Sequence, residues 1–289
     1  MLLTIEGVSA YCYTGGKAHQ PDLPTAVFIH GAQNDHSVWA LQSRYFAHHG
    51  FNVLALDLPG HGRSQGPAKA SVEALADWVL AVLDAAGVQS AALFGHSMGA
   101  LIALEASFRA PQRVSQLAML GATYPMKVAD ALLESARSDE ASAIDMVNLW
   151  SHSGYAQVSP VPGMSTMGTS RRLMQRISQR SPALVLHTDF SACNHYANGE
   201  VAAQAVRCPT LFLFGSRDQM TPLRSTKLLT STIAHASAVT VDAGHALMAE
   251  QPDAVLDALY GYACKTALAQ PPAQQASGNH SNSSAQQPR

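Results

Sequence analysis

The chain is poor in the features that would tie it to a covalent framework, a membrane or a polyanion. Its four cysteines, Cys12, Cys193, Cys208 and Cys264, are scattered over 289 residues with no paired spacing. That scatter excludes a disulfide scaffold and a Cys-x-x-Cys zinc pattern, and it suits a reducing, cytoplasmic compartment. Charged residues make up only 13% of the chain and the formal net charge is −2. The clustered Lys and Arg that neutralise phosphates are missing, so nucleic acid is not an expected partner. No apolar run reaches the ~18 residues of a membrane span. The opening Met1-Leu2-Leu3-Thr4-Ile5-Glu6 lacks the basic and apolar regions of a secretory signal. Thirteen histidines are present, yet there is no His-Glu-x-x-His and no convergent acidic-histidine spacing, so neither a metal nor an organic cofactor is expected.

What the chain has in quantity is apolar residues, 47% of the total, enough for a large core. They fall in strand-like runs that alternate with helical patterns, the mark of a mostly parallel sheet covered on both faces, an α/β fold. An opening pair, residues 2–6 and 9–13 around Gly7-Val8, predicts an antiparallel edge. Strands follow at 26–30, 52–57, 91–95 and 115–121, with helices at 37–49, 71–86 and 98–109. After a long interruption come strand 210–215, helix 222–234, strand 237–242 and helix 252–264.

The chemistry is concentrated at strand ends. Gly95-His96-Ser97-Met98-Gly99 follows the apolar run Ala91-Ala92-Leu93-Phe94 and precedes a helical stretch beginning at Ala100. A Gly-x-Ser-x-Gly between strand and helix reads as a nucleophile elbow, a tight turn that raises the serine Oγ toward free helix N–H groups. Serine needs a base and a group to orient that base. Asp218 follows the strand 210–215, and His245 lies just past the strand 237–242. The order Ser97, Asp218, His245 is that of an α/β-hydrolase triad. Asp57 precedes the serine and Asp242 sits in a strand ending, so Asp218 is the preferred acid. His96 beside the nucleophile is read as a packing residue.

These motifs together resemble the α/β-hydrolase superfamily, in its capped serine-hydrolase branch of esterases and carbon–carbon hydrolases. His30-Gly31-Ala32 after the strand 26–30 resembles the oxyanion loop, and Asp57-Leu58-Pro59-Gly60-His61-Gly62-Arg63-Ser64 resembles the loop after the next strand. The resemblance spans roughly residues 1–264. It implies Ser97, Asp218 and His245 as catalytic residues, with the backbone N–H groups of Ala32 and Met98 as oxyanion donors.

It also implies a core of residues 1–121 and 209–264 with a helical cap at 122–208. A stretch that long must carry its own structure, and helical patterns occur at 129–137 and 144–150. Met126, Met146, Met164, Met167 and Met174, with Trp150 and Tyr155, suit either an adaptable apolar lining or the cap's own core. Arg172, Arg176 and Arg180 share one helix face, read as solvated rather than as an anion-binding patch. Asp189 to Tyr196 is polar and aromatic and offers a substrate contact. Residues 265–289, rich in Gln, Ser, Asn and Pro, are expected to be a disordered tail.

The reading is a serine hydrolase acting on a carboxylic ester of a small apolar substrate. The same triad serves hydrolysis of a carbon–carbon bond in a vinylogous diketone and, more weakly, haloperoxidase or perhydrolase chemistry. A slow-turnover ligand receptor on the same fold is an alternative of another class, because fold does not fix function.

Overall fold

The computed structural model describes residues 1–158, 165–181 and 184–268. The chain opens with β1 (Leu2–Ile5) and β2 (Val8–Tyr13) and then alternates through β3 (Thr25–Ile29), α1 (Ala40–His48), β4 (Asn52–Leu56), α2 (Val72–Ala85), β5 (Ala91–His96), α3 (Met98–Arg109) and β6 (Val114–Leu120). Six helices follow without a strand among the described residues: α4 (Asp130–Ser138), α5 (Glu140–Ser151), α6 (Gly154–Val158), α7 (Thr166–Arg180), α8 (Val185–His195) and α9 (Gly199–Ala205). Alternation resumes with β7 (Thr210–Gly215), α10 (Lys227–Thr232), β8 (Ala236–Val241), α11 (Leu247–Glu250) and α12 (Pro252–Leu268).

The strands form one eight-stranded sheet in the order β1-β2-β4-β3-β5-β6-β7-β8. The β1–β2 and β2–β4 pairs are antiparallel, and every other pair is parallel. The sequence pattern explains this layering. Strands β3, β4 and β5 are buried along their whole length, as parallel strands covered on both faces must be. Successive side chains alternate between the two faces. Val27, Ile29, Leu54, Leu56 and Leu93 join one core with α2 and α3, whereas Ala26, Phe28, Val53, Ala55 and Phe94 join the other with α1 and α12. Phe28 sits at the centre of the second core, its ring 5.3 Å from those of Trp39, Phe46 and Phe94. Each such buried aromatic contributes about 1.5–3 kcal/mol relative to exposure.

Several boundaries differ from those expected. The helix read at 37–49 begins as a 3₁₀ turn, His36–Trp39, capped by Asp35, whose carboxylate accepts the Ser37 N–H at 2.9 Å. The helix read at 222–234 is a 3₁₀ turn, Leu223–Ser225, followed by α10 and ending at Thr232. Helix α12 runs four residues past Cys264, and residues 269–289 lie outside the described residues.

Leu132, Ala136, Ala143, Ile144, Met174, Leu186 and Phe190 give the inserted helices a small core of their own. Met126 packs instead into the α2/α3 core, Met146 and Trp150 pack on the insertion's core, and Met164 lies outside the described residues. Tyr155 is exposed beneath the Arg217 guanidinium, 4.2 Å from the ring centre. Met174 both packs in the insertion's core and borders the cleft that holds Ser97. No described helix is long and apolar enough to cross a membrane.

Candidate active site

Ser97 occupies the sharp turn between β5 and α3, with φ 54° and ψ −119°. That conformation is sparsely populated for a residue with a Cβ and costs on the order of 1–3 kcal/mol. The surroundings enforce it. Its N–H donates to the Leu120 carbonyl on the neighbouring strand at 2.8 Å. A Cβ at Gly95 would run into the Gly99 carbonyl, and one at Gly99 into the Ile29 carbonyl, so both flanking positions require glycine. Met98, the first residue of α3, has no intrahelical acceptor for its N–H.

His245 and Asp218 come from loops beyond β8 and β7. His245 Nδ1 lies 2.8 Å from Asp218 Oδ2, and both residues are buried. A carboxylate only accepts, so Nδ1 carries the proton and Nε2 is left as the acceptor. Thr221 completes this arrangement: its N–H donates to Asp218 Oδ1 and its hydroxyl to Oδ2, each at 2.7 Å. Burial works against the Asp218 charge, but His245 and the two Thr221 donors outweigh it and hold the carboxyl well below its ordinary range. Gly121, at φ 53°, leaves room for the imidazole, since a Cβ there would stand 3.1 Å from the His245 ring. His96 Nε2–H donates to the His245 carbonyl at 2.9 Å, fixing the backbone of that loop, and burial pushes the His96 pKa down to about 3.

The other acids have different partners. Asp242 is exposed and pairs with Arg217 at 2.6 Å. Asp57 is fully buried and accepts the His36 N–H and ring at 2.8 and 2.7 Å and the Arg63 N–H at 2.8 Å, bracing its own loop. The cluster of Asp35, His36 and Asp57 has ligand-like spacing, but Asp35 is also committed, to Ser37 and to Arg176.

The turn after β3 is laced to the inserted helices. Among the described residues the Ala32 N–H has no hydrogen-bond partner, while the next one, from Gln33, donates to Asp189 of α8 at 2.9 Å. The Gln33 side-chain amide donates to Ser178 of α7 at 2.7 Å, and Arg176 of α7 reaches Asp35 at 2.8 Å. Asp189 also faces His61 Nε2 at 2.9 Å, while His61 Nδ1 lies 3.0 Å from the Pro59 carbonyl. Both ring nitrogens face acceptors, which requires both protons and hence an imidazolium. Burial opposes that charge, yet the Asp189 carboxylate overcomes it and raises the His61 pKa. The neighbouring His30, its ring centre 4.9 Å away, is the reverse case. Its Nδ1–H donates to Gly31 O and its Nε2 accepts from the Leu58 N–H, so it is neutral, with a pKa pushed by burial to about 4. Of the segment 189–196, read from the sequence as a substrate contact, Asp189 is thus a buried strut, whereas Phe190 borders the cleft.

Ser97, His245, His96, Gly31 and Ala32 border one cleft of about 750 Å³. Core residues Val38, Leu41 and Met248 and the insertion's Phe190 give it apolar lining. All three arginines of the row are exposed, as a solvated face requires, and Arg172 and Arg176 also border the cleft whereas Arg180 does not. Sequence reasoning missed Thr221, Gln33 and the His61–Asp189 pair. Thr221 was findable, because an Asp with Thr three residues on is a turn in which the carboxylate accepts the Thr N–H. The pair joins residues 128 positions apart, and no local pattern announces it.

A family model for the alpha/beta hydrolase fold matches residues 24–252. The chain is similar to the (E)-2-((N-methylformamido)methylene)succinate hydrolase of Acinetobacter baylyi, 24% identical over 75% of this chain and 81% of that protein. It is also similar to 3-oxoadipate enol-lactonase 2 of the same organism, 25% identical over 87% of this chain and 92% of the other. Among solved structures, the enol-lactonase from Burkholderia xenovorans superposes with a TM-score of 0.80 over 91% of this chain and all of its own, at 22% identity. With a family match across most of its length and the sheet order and strand-end loops described above, the chain belongs to the α/β-hydrolase fold family and is an enzyme of the hydrolase class.

Proposed function

We propose that the protein is a serine hydrolase that cleaves carboxylic esters through a Ser97–His245–Asp218 triad. The observation that carries this reading is the strained Ser97 elbow opening into the same cleft as a buried, correctly protonated His245–Asp218 pair. Ser97 Oγ attacks the ester carbonyl carbon as His245 Nε2 takes its proton. Asp218 holds the proton on Nδ1 and stabilises the imidazolium. The carbonyl oxygen, now an alkoxide, is received by the N–H groups of Ala32 and Met98, each such donor contributing about 2.7–4 kcal/mol to the barrier reduction. Collapse expels the alcohol, which takes the proton from His245. Water, activated by the same histidine, then releases the acyl group from Ser97.

In this reading residues 122–208 act as a cap over the catalytic core of 1–121 and 209–264, and cysteines scattered without paired spacing are consistent with a reducing compartment such as the cytoplasm. The ester and lactone hydrolases among its relatives support acyl chemistry on small molecules. The test is steady-state hydrolysis of a 4-nitrophenyl ester series by wild type and Ser97→Ala. Turnover that falls by several orders of magnitude in the variant is expected. Equal rates in the two proteins, or no turnover of any ester, would refute the assignment.

A further inference from the structure

The charge of the cleft is one-sided. Among the residues that line it there is no Asp or Glu, but there are two arginines, both from α7. Arg176 is matched by Asp35 at 2.8 Å. Arg172, one helical turn earlier and so ~6 Å along the same face, has no ion-pair partner among the described residues, and the stretches 159–164, 182–183 and 269–289 contain no Asp or Glu. The two cleft histidines next to the elbow do not add a fixed charge from His96, which burial keeps neutral over the working range. Around Arg172 the α7 wall is mixed: Thr169, Gln175 and Gln179 offer hydrogen bonds, while Leu173 and Met174 of the same helix are apolar. The elements that carry the catalytic loops add Val38, Leu41 and Met248 to the apolar lining.

A largely apolar cavity edged by one exposed guanidinium without an acidic partner, with hydrogen-bonding side chains on the same helix, suits a molecule that is apolar but carries one negative charge. We propose that the substrate is an ester carrying a carboxylate remote from the bond that is cleaved, and that Arg172 is the residue that binds it. The guanidinium fork meets both carboxylate oxygens at once, with Thr169 and Gln175 or Gln179 able to donate from the same helix. A single unmatched positive charge suits a monoanion, whereas a substrate amine would be repelled. This inference rests on the serine-hydrolase reading and narrows it, replacing the small apolar substrate expected from the sequence with one that also carries a charge.

The test uses matched pairs that differ only in the remote charge. One pair is the 4-nitrophenyl ester of adipic acid with its other carboxyl free or methylated. A second places the charge on the alcohol side, as 4-butyryloxybenzoate and its methyl ester. For at least one pair the wild type is expected to favour the anionic member by about ten-fold or more in kcat/KM, the scale of a charge-assisted hydrogen bond. The preference should appear chiefly in KM and shrink as salt is raised. In Arg172→Gln the ratio should fall to near one, Arg172→Lys should recover part of it, and Arg180→Gln, on the same row but outside the cleft lining, should leave it unchanged. Ser97-dependent turnover with no anionic preference in either pair overturns the carboxylate subsite alone. An anionic preference that survives Arg172→Gln overturns the role of Arg172. Absence of Ser97-dependent turnover on all four esters overturns the hydrolase mechanism itself.

Discussion

Replacing Asp189 by Asn should destabilise the fold more than its position on an inserted helix suggests. The carboxylate and the His61 ring are each about 1% exposed, 2.9 Å apart, and the second ring nitrogen faces the Pro59 carbonyl. Asparagine is nearly isosteric and still accepts the Gln33 N–H, so the change isolates the charge. The imidazolium is then buried without a counter-ion, or it loses a proton and turns a lone pair on an acceptor. Breaking a buried pair in this way costs about 3–5 kcal/mol. Against a total stability of ~5–15 kcal/mol that is a large fraction. Urea unfolding followed by the fluorescence of Trp39, Trp78 and Trp150 measures it. The pH dependence supplies an independent sign. The folded His61 pKa lies above the unfolded value, so the pair's contribution is complete below about pH 6.5 and is lost as pH rises through the folded pKa. The stability gap between wild type and Asp189→Asn should therefore be widest near about pH 6 and narrow in alkali. His30, beside His61 but pushed down to about 4, does not titrate in that window. A cost below about 1 kcal/mol at that pH, the level of an exposed pair, or a gap that widens with pH, would refute the buried ion pair.

Other outcomes follow from the same geometry. Asp218→Asn should lower kcat by about 10⁴, as loss of the correct tautomer does in such triads, with the fold retained by circular dichroism. Because the Asp218 pKa is depressed in the folded state, its stabilising contribution is present above the unfolded value near ~3.9 and lost as pH falls toward the folded one, so this variant should narrow the acid-stability difference from wild type, read by unfolding at acidic pH. Thr221→Val removes a hydroxyl donor from the same carboxylate and should cost about 1.5–3 kcal/mol in the activation barrier, read as kcat/KM. Cys12 and Cys193 are buried, with the Cys12 pKa raised to about 12, so a thiol reagent should reach them only after denaturation.

The parts of this molecule that were legible in the sequence are those set by short-range rules. Fully buried parallel strands leave unbroken apolar runs, so β3, β4, β5 and β7 could be read within a residue or two of their ends. The elbow was legible because two backbone collisions confine Gly95 and Gly99 to glycine, and that constraint is written in the chain. Asp218 and His245 were found by their places after strands, a consequence of topology rather than of local pattern. What was not legible depends on which surfaces meet. The four-residue spacing of Arg172, Arg176 and Arg180 is that of any solvated helix face, and only the docking of α7 on the turn after β3 brings two of them to the cleft. Likewise the segment Asp189 to Tyr196 reads as a substrate contact, and only the fold separates Phe190, which borders the cleft, from Asp189, which meets His61.

That docking connects the insertion to the proposed chemistry through the backbone. The Ala32 N–H, the proposed oxyanion donor, is one peptide unit from the Gln33 N–H that Asp189 holds at 2.9 Å. Gln33 itself has φ 54°, a left-handed conformation that an L residue with a long side chain adopts only when its surroundings hold it there. Asp189, Ser178 and Arg176 provide that hold from α8 and α7, while His61 fixes Asp189 from the core side. An oxyanion donor is effective only if it is already aimed when charge develops, so a loosened Gln33 peptide raises the barrier without touching the triad. The inserted helices are in this view more than a cover: they complete the rigidity of the turn that receives the negative charge. Ser178→Ala separates the two roles, since Ser178 anchors Gln33 yet does not border the cleft. A role in aiming the donor predicts a fall in kcat with KM little changed, whereas a role in covering the substrate alone would move KM and leave kcat in place.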